Sequence, residues 1–312
     1  MRRPAGLSTR GGGNTAYSWD AGRVSKWSRV HALLRLVRIE HTLFSLPFAY
    51  AGALLSGYSF TFRDAILMGL AVLGLRTSGM AYNNIADLDI DRMNPRTSGR
   101  PLVVGAVSLS DAWLLVVLGS ALFLVAAALL NVYALGFAPL LLVLALTYPH
   151  AKRIHSLPHI HLGIVLGSVV FGGAVAASGD EARGLGEVLG SVPWLYVAAV
   201  TLWVAGFDTI YSIMDYEFDK RHGIGSLPAL LGPRNALVAA FIMHIASGIL
   251  FIAGAYVYGL GLVGLSSMLL GVALIIAQHP LAWRGRIASA FNINLAIPLI
   301  VSIGVVVDRL LA

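Results

Sequence analysis

The sequence predicts an all-α, polytopic membrane protein that crosses the bilayer about nine times. Three observations predict it. The chain of 312 residues is 57% hydrophobic and only 12% charged. Its mean hydropathy is +0.79. Apolar runs of near-constant length alternate with short basic loops. A soluble domain carries about 25% charged residues, so this chain could not cover a soluble surface. The absence of cysteine excludes disulfides, thiolate metal sites and cysteine nucleophiles.

The first forty residues are polar, Gly-rich and basic, without the apolar core and cleavage site of a signal peptide. Residues 1–25 read as a disordered basic tail, and 26–40 as an amphipathic lead-in at the membrane surface. Residues 26–312 form one membrane-embedded domain. Its spans are expected near 41–57, 65–85, 111–130, 132–148, 160–178, 193–214, 235–257, 260–278 and 288–308. Little more than Asn131 and Val132 separates the third span from the fourth, and Tyr258-Gly259 the seventh from the eighth, so both pairs are tight hairpins.

Basic residues set the orientation. The tail, the loop after the second span (Arg92, Arg96, Arg100), the one after the fourth (Lys152, Arg153), the one after the sixth (Lys220, Arg221, Arg234) and the one after the eighth (Arg284, Arg286) share one side. Arg63, Arg183 and Arg309 fall on the other. The positive-inside bias places the N-terminus and the long loops in the cytoplasm. These charges are scattered between apolar runs, so they suit anionic lipid or an anionic substrate rather than nucleic acid. No protein partner is evident.

Two acidic stripes carry the chemistry. Asn83, Asp87 and Asp91 stand four apart at the end of the second span; Asp208, Tyr211, Asp215 and Asp219 share a face at the end of the sixth. Stacked carboxylates repel, and negative charge at a helix C-terminus opposes the macrodipole. Two such stripes on one side call for a cation, and oxygen-only ligands suit magnesium with a phosphate substrate. Asp89 and Glu217, off the stripes, read as solvated surface. Asp208 and Arg76 lie deep enough that ionisable groups there usually serve function. Tyr148-Pro149-His150-Ala151-Lys152-Arg153 follows the fourth span; its charges read as topology signals or as a diphosphate clamp. The two halves echo each other, Asp91-Arg92 before Pro101-Leu102 and Asp219-Lys220 before Pro228-Ala229, which suggests a repeat over 41–148 and 160–278 with the ninth helix outside it.

These motifs resemble the UbiA superfamily of intramembrane prenyltransferases. Asn83-Asn84-x-x-Asp87-x-x-x-Asp91 matches the first family motif, with Asn84 where an aspartate is usual; Asp208, Tyr211, Asp215 and Asp219 match the second. Glu40-His41-Thr42-Leu43-Phe44-Ser45-Leu46-Pro47-Phe48 and the Arg76-Thr77 lead-in resemble the group acting on 4-hydroxybenzoate. The resemblance implies nine helices in a ring around a central cavity, under two cytoplasmic cap loops. It implies magnesium-dependent transfer of a polyprenyl group from its diphosphate to a small aromatic acceptor, in quinone biosynthesis. Asn83, Asp87, Asp91, Asp215 and Asp219 would hold the metal. Lys152, Arg153, Tyr148, Lys220, Arg96 and Arg100 would meet the diphosphate, and Asp208 and Tyr211 the reacting groups. Arg38, Arg76 and His41 would bind the acceptor. Arg38 reads equally as a snorkelling arginine, Arg76 and Asp208 as a structural pair, His41 as helix-end packing, and Asn292 and Asn294 as bridges between helices. Two rivals stand beside this reading: an archaeal ether-lipid synthase that prenylates a glycerol phosphate, and a membrane transporter with charges in broken helices.

Overall fold

The computed structural model describes residues 26–311, without the side chains of 26–27 and 40–44. The expected tail over 1–25 and the side chain of His41 lie outside the described residues. The lead-in is helix α1 (Lys26–Val37), followed by α2 (Ile39–Leu55), α3 (Phe62–Ala86), α4 (Leu88–Met93), α5 (Leu109–Leu130), α6 (Val132–Ile154) and α7 (Pro158–Ser178). Then come α8 (Leu185–Ser191), α9 (Trp194–Ser212), α10 (Tyr216–His222) and α11 (Leu227–Leu231). The chain closes with α12 (Pro233–Val257), α13 (Leu262–Trp283), α14 (Ile287–Ile293) and α15 (Ile297–Leu311).

Among the described residues, 8 helices are long and apolar enough to cross a membrane, with α9–α10 and α14–α15 each taken as one. The expected first span is α2, whose 17 residues reach only about 25 Å at 1.5 Å per residue. Exposed Val117, Leu118, Leu140, Ile249 and Leu270 give the outer face an apolar coat that suits lipid.

Helix starts follow their sequence signals. Thr61 and Asp64 form a capping box on α3, and Ser108 and Asp111 another on α5. The α5–α6 hairpin turns on one residue: the Asn131 side chain accepts from Ala134 N at 2.8 Å and donates to the carbonyls of Val175 and Ala176 on α7. At the second hairpin, the Asp308 carboxylate accepts from Gly261 N and Gly264 N, which caps α13 from α15. Helices α2 and α7 touch backbone to backbone. A Cβ at Gly173 would sit 1.9 Å from Ala49 O, and one at Gly52 2.1 Å from Val170 O, so only glycine permits this crossing. Phe48, Tyr196, Trp203 and Phe251 pack the core beside it.

Among the described residues, four breaks interrupt the helices. Arg38 adopts φ 47°, a left-handed backbone that separates α1 from α2. The ninth span breaks between α14 and α15, because Pro298 has no N–H to bond the Asn294 carbonyl. The Asn294 side chain there accepts from Trp203 Nε1 and donates to Gln278 Oε1, each at 2.8 Å, and so bridges helices as expected. Both acidic stripes kink at their middle aspartate. Asp87 and Asp215 share one backbone geometry (φ −95°, ψ 2° and φ −101°, ψ 2°), and α10 is reached through a 3-10 turn at Ile213–Asp215.

Candidate active site

Both stripes open into one cavity of about 710 Å³. Asn83, Asp87 and Asp91 line it from α3 and α4, and Asp208, Tyr211, Asp215 and Asp219 from α9 and α10. The segment after α4 adds Arg96 and Arg100, and α6 adds Tyr148 and Lys152. Phe48, Leu162, Leu166, Trp203 and Phe207 add apolar lining to the same cavity, and Arg76 lines it from α3. Arg38 lines the cavity from its left-handed position.

Each stripe carboxylate holds a cation or hydrogen-bond donor of the same site. Lys152 Nζ lies 2.6 Å from Asp87 Oδ2. Asp87 is 3% exposed. Arg100 pairs with Asp91. Arg96 grips both oxygens of Asp215, Asn94 donates to Asp215 Oδ1 at 2.9 Å, and Arg96 also donates to the Tyr211 hydroxyl at 3.1 Å. Ser226 Oγ donates to Asp219 Oδ2 at 3.0 Å. Burial pushes the Asp91 carboxyl up, and the Arg100 charge offsets only part of that.

The oxygen-rich set fits a divalent ion. Asp87 Oδ1 is buried with no hydrogen-bond partner among the described residues, an acceptor left over beside Lys152. Among those residues, no three acidic or histidine side chains converge closely enough to hold a metal alone. An ion here would rest on one or two carboxylates and complete its shell with phosphate oxygens and water, as magnesium usually does.

Two expected diphosphate ligands stand apart from the cavity. Arg153 turns to Asp89 and to the Ala86 carbonyl, both at 2.6 Å, where its hydrogen bond holds the Asp89 carboxyl below the usual range. Lys220 is exposed and donates to the Tyr216 hydroxyl at 3.1 Å. Arg153 lies one position past Lys152, about 100° round the helix, so only one of the two can face inward. Asn84, in the place of the usual aspartate, donates its amide to Leu36 O and Met80 O and fastens α1 to α3.

The sequence reading missed Asn94, Ser226 and His159. His159 Nδ1 sits 2.6 Å from Asp208 Oδ2. Asn94 stands two residues before Arg96 in the sequence, and the fold brings both to Asp215. His159 and Ser226 carry no spacing signal, since their partners lie on other elements.

The model of the UbiA prenyltransferase family matches residues 45–295. The chain belongs to the UbiA prenyltransferase family. The 4-hydroxybenzoate octaprenyltransferase of Albidiferax ferrireducens is 34% identical over 169 residues, 52% of this chain and 52% of that protein. The chain thus matches about half the length of that curated relative. The apo structure of a UbiA homolog from Aeropyrum pernix K1 is 68% identical, covers 87% of this chain and 98% of its own, and superposes with a TM-score of 0.85. Two more distant structures share the fold. A digeranylgeranylglyceryl phosphate synthase is 23% identical, with 91% and 99% covered and a TM-score of 0.67. A UbiA homolog from Archaeoglobus fulgidus, bound to GPP and Mg2+, is 21% identical, with 88% and 99% covered and a TM-score of 0.62. The family and the apolar helices together make this a multi-pass membrane protein.

Proposed function

We propose that this UbiA-family protein transfers a polyprenyl group from polyprenyl diphosphate to an aromatic acid such as 4-hydroxybenzoate, with magnesium, in quinone biosynthesis. One observation carries the reading. A single cavity is lined by two carboxylate stripes, by Lys152, Arg96 and Arg100, by Arg76 and Asp208, and by the apolar side chains Phe48, Leu162, Trp203 and Phe207. That polarity matches a diphosphate donor with a lipid tail and a ring bearing one carboxylate and one phenol.

Asp87 and Asp91, with Asn83, would hold one metal site, and Asp215 and Asp219 the other; bound magnesium would supply Lewis-acid stabilisation of the leaving diphosphate. Lys152, Arg96 and Arg100 release their carboxylate partners and add fixed positive charge where the breaking C–O bond develops negative charge. Arg76 grips the acceptor carboxylate through two parallel hydrogen bonds, and Asp208 faces the phenol. The ring carbon bonds the allylic carbon, diphosphate departs and the ring proton is lost. Phe48, Trp203 and Phe207 keep water from the allylic cation, which would otherwise be hydrolysed. The bias of basic loops to one side supports a site at the cytoplasmic face of the cell membrane.

The test supplies membranes with labelled polyprenyl diphosphate and magnesium, and either 4-hydroxybenzoate or a geranylgeranylglyceryl phosphate acceptor. A prenylated hydroxybenzoate supports the reading. A product from the glycerol phosphate alone replaces it with ether-lipid synthesis. No covalent product from either, with substrate moved across the membrane, makes the protein a transporter.

A further inference from the structure

His159 is the second residue of α7 and one of the least exposed polar side chains of the site, at 2%. Both ring nitrogens are engaged. Leu227 N, the first backbone donor of α11, points at His159 Nε2 at 3.2 Å. An N–H can donate only to a nitrogen with a free lone pair, so Nε2 carries no proton. The ring proton is then on Nδ1, and Nδ1–H donates to Asp208 Oδ2 at 2.6 Å. The contact is a hydrogen bond from a neutral imidazole to a carboxylate, with a tautomer fixed from behind by a backbone amide.

The backbone that fixes it is itself fastened at three consecutive residues. Gly225 N donates to Lys152 O at 2.7 Å. Ser226 Oγ donates to Asp219 Oδ2 at 3.0 Å. Leu227 N takes His159. One short segment therefore touches the diphosphate-side lysine, the last carboxylate of the second stripe and, through the imidazole, Asp208. At the first of these positions a Cβ would meet His155 O at 2.2 Å, so Gly225 is required for the approach.

We infer that His159 is a positioning residue, which holds the Asp208 carboxylate toward the acceptor and ties its orientation to the 225–227 segment beside the diphosphate site. The inference rests on the reading of Asp208 as the group that faces the phenol. A carboxylate with one oxygen committed to a buried donor keeps the other for the reactant and cannot swing toward Lys152 or Arg76. The imidazole acts through Asp208 and touches no reactant itself.

Side-chain geometry supplies the test. Asparagine places an amide nitrogen on Cγ, as histidine places Nδ1, so His159→Asn keeps the donor to Asp208 and gives up the acceptor for Leu227. His159→Gln moves the amide one bond further and displaces the donor. His159→Phe keeps the ring and loses both bonds. Loss of a hydrogen bond to a charged group predicts kcat for the aromatic acid lowered about ten- to hundredfold in the Phe and Gln variants. Asn should stay within about threefold of the parent, and KM for prenyl diphosphate within about twofold in all three. In the double variant His159→Phe/Asp208→Asn, the change at His159 should add nothing to Asp208→Asn alone, which a purely structural histidine would not produce.

If Asn is as slow as Phe, or the loss lies in KM for the diphosphate, or the double variant is additive, the inference is overturned. If Asp208→Asn is inactive while His159→Phe keeps its rate, the positioning role alone fails. If Asp208→Asn keeps full turnover, the assignment of Asp208 fails, and the positioning role with it. Should His159→Phe not fold, the contrast of Asn with Gln decides between the same outcomes.

Discussion

Lys152 Nζ lies 2.6 Å from Asp87 Oδ2, across the junction between the fourth apolar span and the first acidic stripe. On the proposed function, the ammonium that would meet a diphosphate rests on the carboxylate that would hold a metal. Arg100 on Asp91 and Arg96 on Asp215 repeat the arrangement. Without substrate, each of these three carboxylates keeps its own cation, which offsets the desolvation cost of an unpaired charge.

Lys152→Gln is expected to leave Asp87, which is 3% exposed, without its cation and with the Asn83 amide as its remaining donor at 3.1 Å. Thermal stability in detergent without magnesium should fall, by about 1–3 kcal/mol for a buried group that loses its partner. Magnesium should restore much of that loss by giving Asp87 a new partner. KM for the prenyl diphosphate should rise. A variant destabilised equally with and without magnesium would show that Lys152 serves packing alone.

Asp87→Ala and Asp215→Ala each remove one of the carboxylates proposed to hold metal, from a different stripe. Either should lower magnesium-dependent turnover by about a hundredfold or more, since metal charge contributes several kcal/mol to such steps. Manganese bound per protein, counted by electron paramagnetic resonance, should fall in each variant. Near-normal turnover by folded Asp215→Ala would remove the second stripe from the metal site.

Much of this site was legible because it is local in sequence. The i, i+4 spacing of Asn83, Asp87 and Asp91 survives the kink, since Asp87 N still bonds Asn83 O at 3.0 Å and Asp91 N bonds Asp87 O at 2.8 Å. The apolar spans followed from composition, as they must where backbone groups have no water to bond. The illegible parts are contacts between distant elements. Nothing in the run Pro158-His159 states that Asp208 lies beside it. Arg153 and Lys152 look alike in sequence, and only the facing of α6 sends one to Asp89 and the other to Asp87. The left-handed turn at Arg38 has no glycine or asparagine to announce it.

Orientation has a direct test. The chain has no cysteine, so Ser98→Cys gives a single thiol. Ser98 is exposed in the segment between α4 and α5, with only a bond from its hydroxyl to Pro95 O. An impermeant maleimide should label it in inverted vesicles and leave it unlabelled in right-side-out ones. The opposite pattern would invert the whole topology, since every basic loop is assigned to the same side.

Arg76 separates acceptor binding from donor binding. It lies on the same helix as Asn83 and Asp87, at i, i+7 and i+11, and it lines the cavity with them. Eleven residues of α-helix place it about 16 Å from Asp87 along the axis. That distance takes it away from a diphosphate bound between the stripes, within a cavity that Phe48 and Trp203 also line. A ring carboxylate is the partner that suits it, because a guanidinium grips a carboxylate with two parallel hydrogen bonds. Lysine keeps the charge and loses the fork. Arg76→Lys should therefore raise KM for the aromatic acid about tenfold, in line with the loss of one charge-assisted bond, and leave KM for the prenyl diphosphate unchanged. If the diphosphate weakens and the acceptor does not, Arg76 belongs to the clamp, and Arg38 becomes the carboxylate partner. If neither constant moves and only thermal stability falls, Arg76 holds the helices together and binds no substrate.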